Sequence, residues 1–85
     1  MSWQIEIAPA ARRDLRGLDR PVQERILKAL AGLGSDPRSA VNVKALQGQP
    51  GYRLRVGDWR VIYTLNDDVL TVLVICIAHR REAYR

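Results

Sequence analysis

The stretch YRLRVGDWRVIY, residues Tyr52–Tyr63, decides the fold of this chain because local rules make it a β-hairpin. Two runs rich in aromatic and β-branched residues flank Gly57-Asp58, and a glycine at the first position of a two-residue loop suits a primed turn. Successive side chains of a strand alternate between faces, so this loop sets the register of the whole hairpin. One face is predicted to carry Tyr52, Leu54, Val56, Trp59, Val61 and Tyr63, and the other Arg53, Arg55 and Arg60 with Ile62 among them.

The arginine face is the more informative of the two. Like charges on adjacent strands destabilise a sheet by up to about 1 kcal/mol, so a hairpin that needed only stability would alternate their signs. Arg suits phosphate because its planar fork donates two parallel hydrogen bonds and keeps its charge. Arg53, Arg55 and Arg60 therefore predict a site for a polyanion. The alternative is a solvated face whose arginines point into water.

Length and charge support the same interpretation. The chain has 85 residues, which predicts a single domain over residues 1–85 with one modest core. Its net charge is +5, and an anionic partner fits that charge. The basic residues are twelve Arg against two Lys, a bias that solubility does not require and that phosphate contact favours.

Several classes of protein are excluded by composition. A single cysteine, Cys76, rules out an internal disulfide and favours a reducing compartment. The N-terminus lacks a signal-peptide pattern and no apolar run could span a bilayer, so we expect a cytoplasmic protein without a membrane partner. With one histidine and scattered carboxylates, no metal-ligand cluster is visible, and neither a metal nor a cofactor is expected.

The N-terminal half predicts one strand and a helical hairpin. Trp3–Ile7 alternates like a strand, and Ala8-Pro9 opens a first helix because proline is tolerated in a first turn. Asp19 is a good N-cap for a second helix, which Gly32 and Gly34 end. Apolar residues at helical spacing form one stripe on each helix: Ala11, Leu15 and Leu18, then Val22, Ile26, Leu30 and Leu33.

The C-terminal half predicts the rest of the sheet. Ser35–Gly51 is a polar connection in which Lys44 is either a solvated tether or part of the basic face. Asn66–Asp68 makes a turn, and the apolar run Val69–Ala78 is predicted to be a middle strand, covered on both faces, between the hairpin and Trp3–Ile7. The expected fold class is α+β, in the order β-α-α-β-β-β. A helical hairpin would pack on a mainly antiparallel four-stranded sheet.

This order, with a basic tail, resembles the RelE/ParE toxin superfamily of type II toxin–antitoxin systems. The sharpest parts are Tyr52–Tyr63 and the tail HRREAYR, residues His79–Arg85, with KALQGQPG at Lys44–Gly51 as a weaker part. The superfamily contains ribosome-dependent mRNA endonucleases and gyrase inhibitors. The resemblance implies a toxin whose partners are a separately encoded antitoxin and a ribosome with mRNA in its A site.

The resemblance also implies which residues act on RNA. In RelE-type members, basic residues on the hairpin and a basic or aromatic pair at the C-terminus cut mRNA. The best-studied arrangement has lysines where this chain has Arg53 and Arg55, which puts proton transfer there in doubt because Arg hardly deprotonates. The catalytic positions carried over are Arg53, Arg55 and Arg60 on the hairpin, and Arg80 and Tyr84 in the tail with His79 beside that pair. Lys44, Arg81 and Arg85 are expected to bind RNA.

RNA is cut in such a reaction when its own 2′-OH attacks the adjacent phosphorus, which needs proton transfer and charge stabilisation. We expect the arginines to supply the charge and His79 or Tyr84 to transfer the proton, although Tyr84 equally suits stacking on a base. Two rivals share the pattern: a gyrase-directed member of the superfamily, and a non-catalytic module that binds nucleic acid and leaves it intact.

Overall fold

A computed structural model describes residues 2–79 of the chain. Two helices and five strands follow one another along these residues. In chain order they are β1 (Gln4–Ile7), α1 (Pro9–Arg16), α2 (Arg20–Ala31), β2 (Val43–Ala45), β3 (Tyr52–Val56), β4 (Trp59–Asn66) and β5 (Thr71–His79), with a short 3₁₀ turn at Gly32–Gly34. Neither helix in this part of the chain has the length and apolarity needed to cross a bilayer.

The strands form one sheet in the order β1-β5-β4-β3-β2, in which β1 and β5 are parallel and the other pairs antiparallel. The α+β class is thus confirmed, but the sheet has five strands where four were predicted. The additional strand is β2, which lies inside the predicted polar connection and pairs with Tyr52–Leu54. A strand of three residues is too short for an alternating pattern to be recognised, so β2 could not be predicted from the sequence.

The predicted hairpin register is confirmed in full. Val56 pairs with Trp59, Arg55 with Arg60, and the pairing continues outward to Tyr52 and Tyr63. Gly57 has a φ of +61°, a value that L side chains rarely adopt, so the glycine permits the two-residue turn.

Strand β5 lies between β1 and β4, as the sequence predicted. It begins at Thr71, because Val69 belongs to the preceding turn and is 62% exposed. The prediction that both faces of this strand are covered was wrong. Both helices pack on one face of the sheet, which leaves Leu73 and Ile75, 36% and 40% exposed, outside the core.

A β-bulge in β5 explains how an almost wholly apolar strand fits into a sheet that the helices cover on one face only. Ile62 pairs with Cys76 and Tyr63 pairs with Val74, so Ile75 is the additional residue. The bulge shifts the alternation by one residue, and Val74 and Ile77 consequently both face the core. The side of the sheet that the helices do not cover is called the open face below.

The helical stripes bury as predicted, and they hold the helices on the sheet. Ala11, Ile26, Leu30 and Leu33 are at most 2% exposed. Asp19 occupies the N-cap of α2 as predicted, but its side chain makes no capping hydrogen bond. The Gln23 side chain instead donates to the carbonyl oxygen of Leu18 at 2.7 Å and closes the inter-helix turn.

Candidate nucleic-acid interface

Four cationic side chains from three adjacent strands converge at one end of the open face. Lys44 on β2 pairs with Arg53 on β3, and Arg55 pairs with Arg60 on β4. Directly paired residues share a face, so strand pairing alone brings these side chains together. They line a cavity of about 410 Å³ with Asn42 and Val43, which we call the cationic cleft. Lys44 is therefore part of the basic face, one of the two alternatives that the sequence left open.

The four cations differ in how much water they reach. Arg55 and Lys44 are exposed, and Arg53 is half-buried. Arg60 is only 8% exposed. Its Nη1 donates to the carbonyl oxygens of Gly57 at 3.3 Å and Trp59 at 3.2 Å. Arg60 thus provides a fixed charge at the base of the cleft, beside cations that water reaches more freely.

His79 does not lie in the cationic cleft. It pairs with Trp59, whereas Arg60 pairs with Ala78. The His79 and Trp59 rings meet edge to face with centroids 5.3 Å apart. Since Trp59 packs against the core, His79 belongs to the helix-covered face. The structure thus does not bring His79 together with the hairpin arginines, because one step along a strand reverses the direction of the side chain.

The predicted tail residues Arg80, Arg81, Tyr84 and Arg85 lie outside the described residues, and their roles remain predictions.

The loop that carries Asn42 into the cleft is held by Tyr63. The Tyr63 hydroxyl donates to the carbonyl oxygen of Pro37 at 2.5 Å, and its ring stacks on Tyr52. Burial raises the pKa of Tyr63 to about 12, so this hydroxyl keeps its proton at neutral pH. Asn42, with a φ of +69°, accepts a hydrogen bond from the Arg55 backbone N–H at 2.9 Å. The edge of the cleft is thus fixed to β3.

One cation near the site was missed at the level of sequence. Arg25 on α2 lies over the hairpin turn, so that a Cβ added to Gly57 would come within 3.0 Å of its Nη2. Arg25 stands three residues after Val22 and four before Ala29, on the border of the apolar stripe. That position indicated a cation close to the sheet. Gly57, which Arg25 contacts, is more than thirty residues away in the sequence, so no local pattern predicted this contact.

Between residues 2 and 79 no three His, Cys, Asp or Glu side chains lie together. The cationic cleft offers positive charge, which can bind phosphates and offset negative charge that develops on them.

Comparison with known proteins places this fold and cleft in a family. Residues 5–84 match the family described as ParE toxin of type II toxin-antitoxin system, parDE. The chain therefore belongs to this family and is a type II toxin of the RelE/ParE superfamily.

Individual relatives agree with that membership. Toxin RelG of Mycobacterium tuberculosis is 24% identical over 86 residues, which cover 100% of this chain and 99% of RelG. The RelE–RelB complex of Pyrococcus horikoshii is 27% identical with a TM-score of 0.80, over 94% of this chain and 97% of that one. The intact RelBE toxin–antitoxin complex of E. coli is 28% identical with a TM-score of 0.78, over 91% and 95% of the two chains.

Proposed function

We propose that this toxin is a ribosome-dependent mRNA endonuclease that inhibits translation. The observation that carries the proposal is the cationic cleft, where Lys44, Arg53, Arg55 and Arg60 converge on the open face, which α1 and α2 do not cover. Such a cluster costs the sheet stability through like-charge repulsion, and a polyanionic substrate offsets that cost. The similarity to RelE and RelG toxins supports RNA as the polyanion.

The arginines are proposed to act on the phosphate by charge. In the reaction the 2′-oxygen bonds to phosphorus, the bond from phosphorus to the 5′-oxygen breaks, and negative charge builds on the non-bridging oxygens. Arg60 is fixed by the turn carbonyls before substrate arrives, so its charge needs no reorganisation. Arg53 and Arg55 would complete the clamp with bidentate hydrogen bonds.

Proton transfer is proposed to fall to Tyr84. Of the two candidates that the sequence offered, His79 faces away from the cleft. Arg does not release a proton at physiological pH. A tyrosine with a pKa near 10 becomes more acidic beside cations, and the predicted tail residues Arg80, Arg81 and Arg85 would supply further positive charge and RNA contacts.

The proposed partners follow from the target and the relatives. The similar structures from Pyrococcus horikoshii and E. coli are complexes of a toxin with its antitoxin, so we propose that a separately encoded antitoxin neutralises this chain. A target on the ribosome places the toxin in the cytoplasm.

The deciding experiment adds the purified toxin to programmed ribosomes and maps new mRNA ends. We expect cuts within the A-site codon that leave a 5′-hydroxyl. Arg53→Ala and Arg55→Ala should each lower the cleavage rate by about 10²-fold, the low end of the effect of removing one group that stabilises charge in the transition state. The matched control is Arg13→Ala on α1, which removes the same charge far from the cleft and should cut within about twofold of wild type. Wild-type toxin that leaves the mRNA intact would refute the proposal.

A second candidate is a gyrase inhibitor, and the observation that favours it is the match to the parDE toxin family. Supercoiling assays with purified DNA gyrase separate the two. Inhibition of gyrase without new mRNA ends would establish this alternative. RNA binding without cleavage or gyrase inhibition would instead identify a non-catalytic module.

A further inference from the structure

A second groove lies beside the cationic cleft, on the helix side of β3. It opens beside Arg55 and Val56 of β3. These two residues have no partner on β2, because the first residue of β2, Val43, pairs with Leu54. Its volume is about 410 Å³. We call the buried or half-buried apolar residues Ala29, Leu33 and Val56 its floor, and the exposed residues Arg25 and Val41 its walls. Arg55 also lines the groove, although its side chain lies on the open face. Among the described residues no hydrophobic side chain is more exposed than Val41, at 83%.

The groove and the cationic cleft are neighbours across the edge of β3, with the groove on the helix side and the cleft on the open face. Arg55 and Asn42 line both, and the hydrogen bond from the Arg55 backbone N–H to the Asn42 carbonyl oxygen lies between them. A single strand of RNA that passes over this hydrogen bond leaves the cleft and reaches the groove. Arg25 lies on the wall of the groove that is farther from the cleft, above Gly57. A Cβ atom at residue 57 would lie 3.0 Å from the Arg25 Nη2.

We infer that this groove binds one nucleotide of the same single-stranded RNA, adjacent to the nucleotides in the cleft. The inference rests on the proposed function. An apolar floor suits the face of an unpaired base, and the Arg25 guanidinium suits an adjacent phosphate. Volumes of a few hundred Å³ are typical of small-molecule sites. Arg25 is thus assigned a role in substrate binding that lies outside the cleft.

Two variants test the groove without disturbing the core. Arg25→Ala removes the cation on the far wall, and Val41→Glu places a negative charge on an exposed wall residue. The probes are single-stranded RNA oligonucleotides that lengthen by one nucleotide at a time, measured by fluorescence anisotropy. For wild type we expect one added nucleotide to raise affinity by about tenfold, the range of one stacked base. In both variants this gain in affinity from one added nucleotide, which we call the length step, should be absent. The shortest oligonucleotides should bind both variants as tightly as they bind wild type.

Arg13→Ala is the control, because it removes one charge from α1 and leaves the groove intact. Arg25→Ala should also lower the slope of log affinity against log salt by about 0.7, the value for one lost phosphate contact on a single strand. Arg13→Ala should leave the slope and the length step unchanged. On ribosomes, Arg25→Ala should raise the KM for mRNA and leave kcat unchanged.

Three results would overturn the inference: a length step that survives Arg25→Ala, an equal loss in Arg13→Ala, or weakened binding of an antitoxin with RNA binding unaffected. Failure of the proposed function is distinguishable from these results, because a wild-type chain that is not a nuclease would leave programmed ribosomes and their mRNA untouched.

Discussion

At the scale of single residues, alternation along a strand predicts the face of a side chain and leaves its depth open. The register placed Arg53, Arg55 and Arg60 on one face from the sequence alone, and the structure agrees. It gave no indication that Arg60 would be 8% exposed and bonded to the turn carbonyls. Depth depends on neighbours contributed by other strands, and residue types along one strand do not encode those neighbours.

Arg60 is therefore expected to serve both folding and activity. Arg60→Ala removes the hydrogen bonds to the carbonyls of Gly57 and Trp59, and we expect it to lower the free energy of unfolding by about 1–3 kcal/mol. Urea denaturation measures this effect. Arg60→Met keeps most of the buried stem, so it should be more stable than Arg60→Ala and equally impaired in cleavage. Equal stability of wild type and both variants would show that the carbonyl contacts contribute nothing to the fold.

Lys44 tests whether the cleft needs charge alone. In our proposal it binds phosphate, so Lys44→Arg should cleave mRNA within about twofold of wild type, and Lys44→Ala should lose about tenfold, a typical value for one hydrogen bond to a charged group. Single-turnover cleavage at saturating ribosomes measures both variants. If Lys44→Arg fell as far as Lys44→Ala, the role of Lys44 would be proton transfer, because arginine retains the charge and cannot release the proton.

At the scale of elements, the hairpin could be predicted because Gly57-Asp58 fixes its own register locally. The bulge at Ile75 and the edge strand β2 could not, since both arise from how one strand meets another. The same reason explains the error over the coverage of β5. An apolar run predicted two covered faces, whereas the bulge turns successive apolar residues toward one core and leaves Leu73 and Ile75 exposed.

The connection between α2 and β2 offers a prediction at this scale, because Tyr63 anchors it through Pro37. Tyr63→Phe removes that hydrogen bond and should cost about 1 kcal/mol of unfolding free energy at pH 7. The folded pKa of Tyr63 is raised to about 12 from an ordinary value near 10. The stabilisation by the neutral hydroxyl is therefore complete below pH 10 and is lost as pH rises through 12.

Denaturation curves of wild type and Tyr63→Phe between pH 7 and pH 12 check this sign. The stability gap should narrow above pH 10, because only wild type loses the contribution of Tyr63. A gap that stays constant through pH 12 would show that Tyr63 ionises as freely in the folded chain as in the unfolded one.

At the scale of the whole molecule, a basic site occupies one end of a sheet whose other face holds the core. The net charge of +5 predicted an anionic partner from composition, and the fold concentrates four cations in the cationic cleft. Attraction of RNA is consequently a property of the whole surface as well as of single contacts, and it should respond to salt as counterion release requires.

The four cations of the cleft contribute about −2.8 to the slope of log affinity against log salt on a single strand. The double variant Arg53→Ala/Arg55→Ala should make the slope shallower by about 1.4, because two contacts are lost. Arg13→Ala/Arg16→Ala on α1 is the matched control: it gives the chain the same net charge and should keep the steeper slope. Anisotropy titrations of one RNA oligonucleotide over a range of potassium chloride concentrations measure all three proteins. Equal slopes in the two double variants would mean that RNA affinity depends on net charge alone. The cationic cleft would then not be the RNA-binding site.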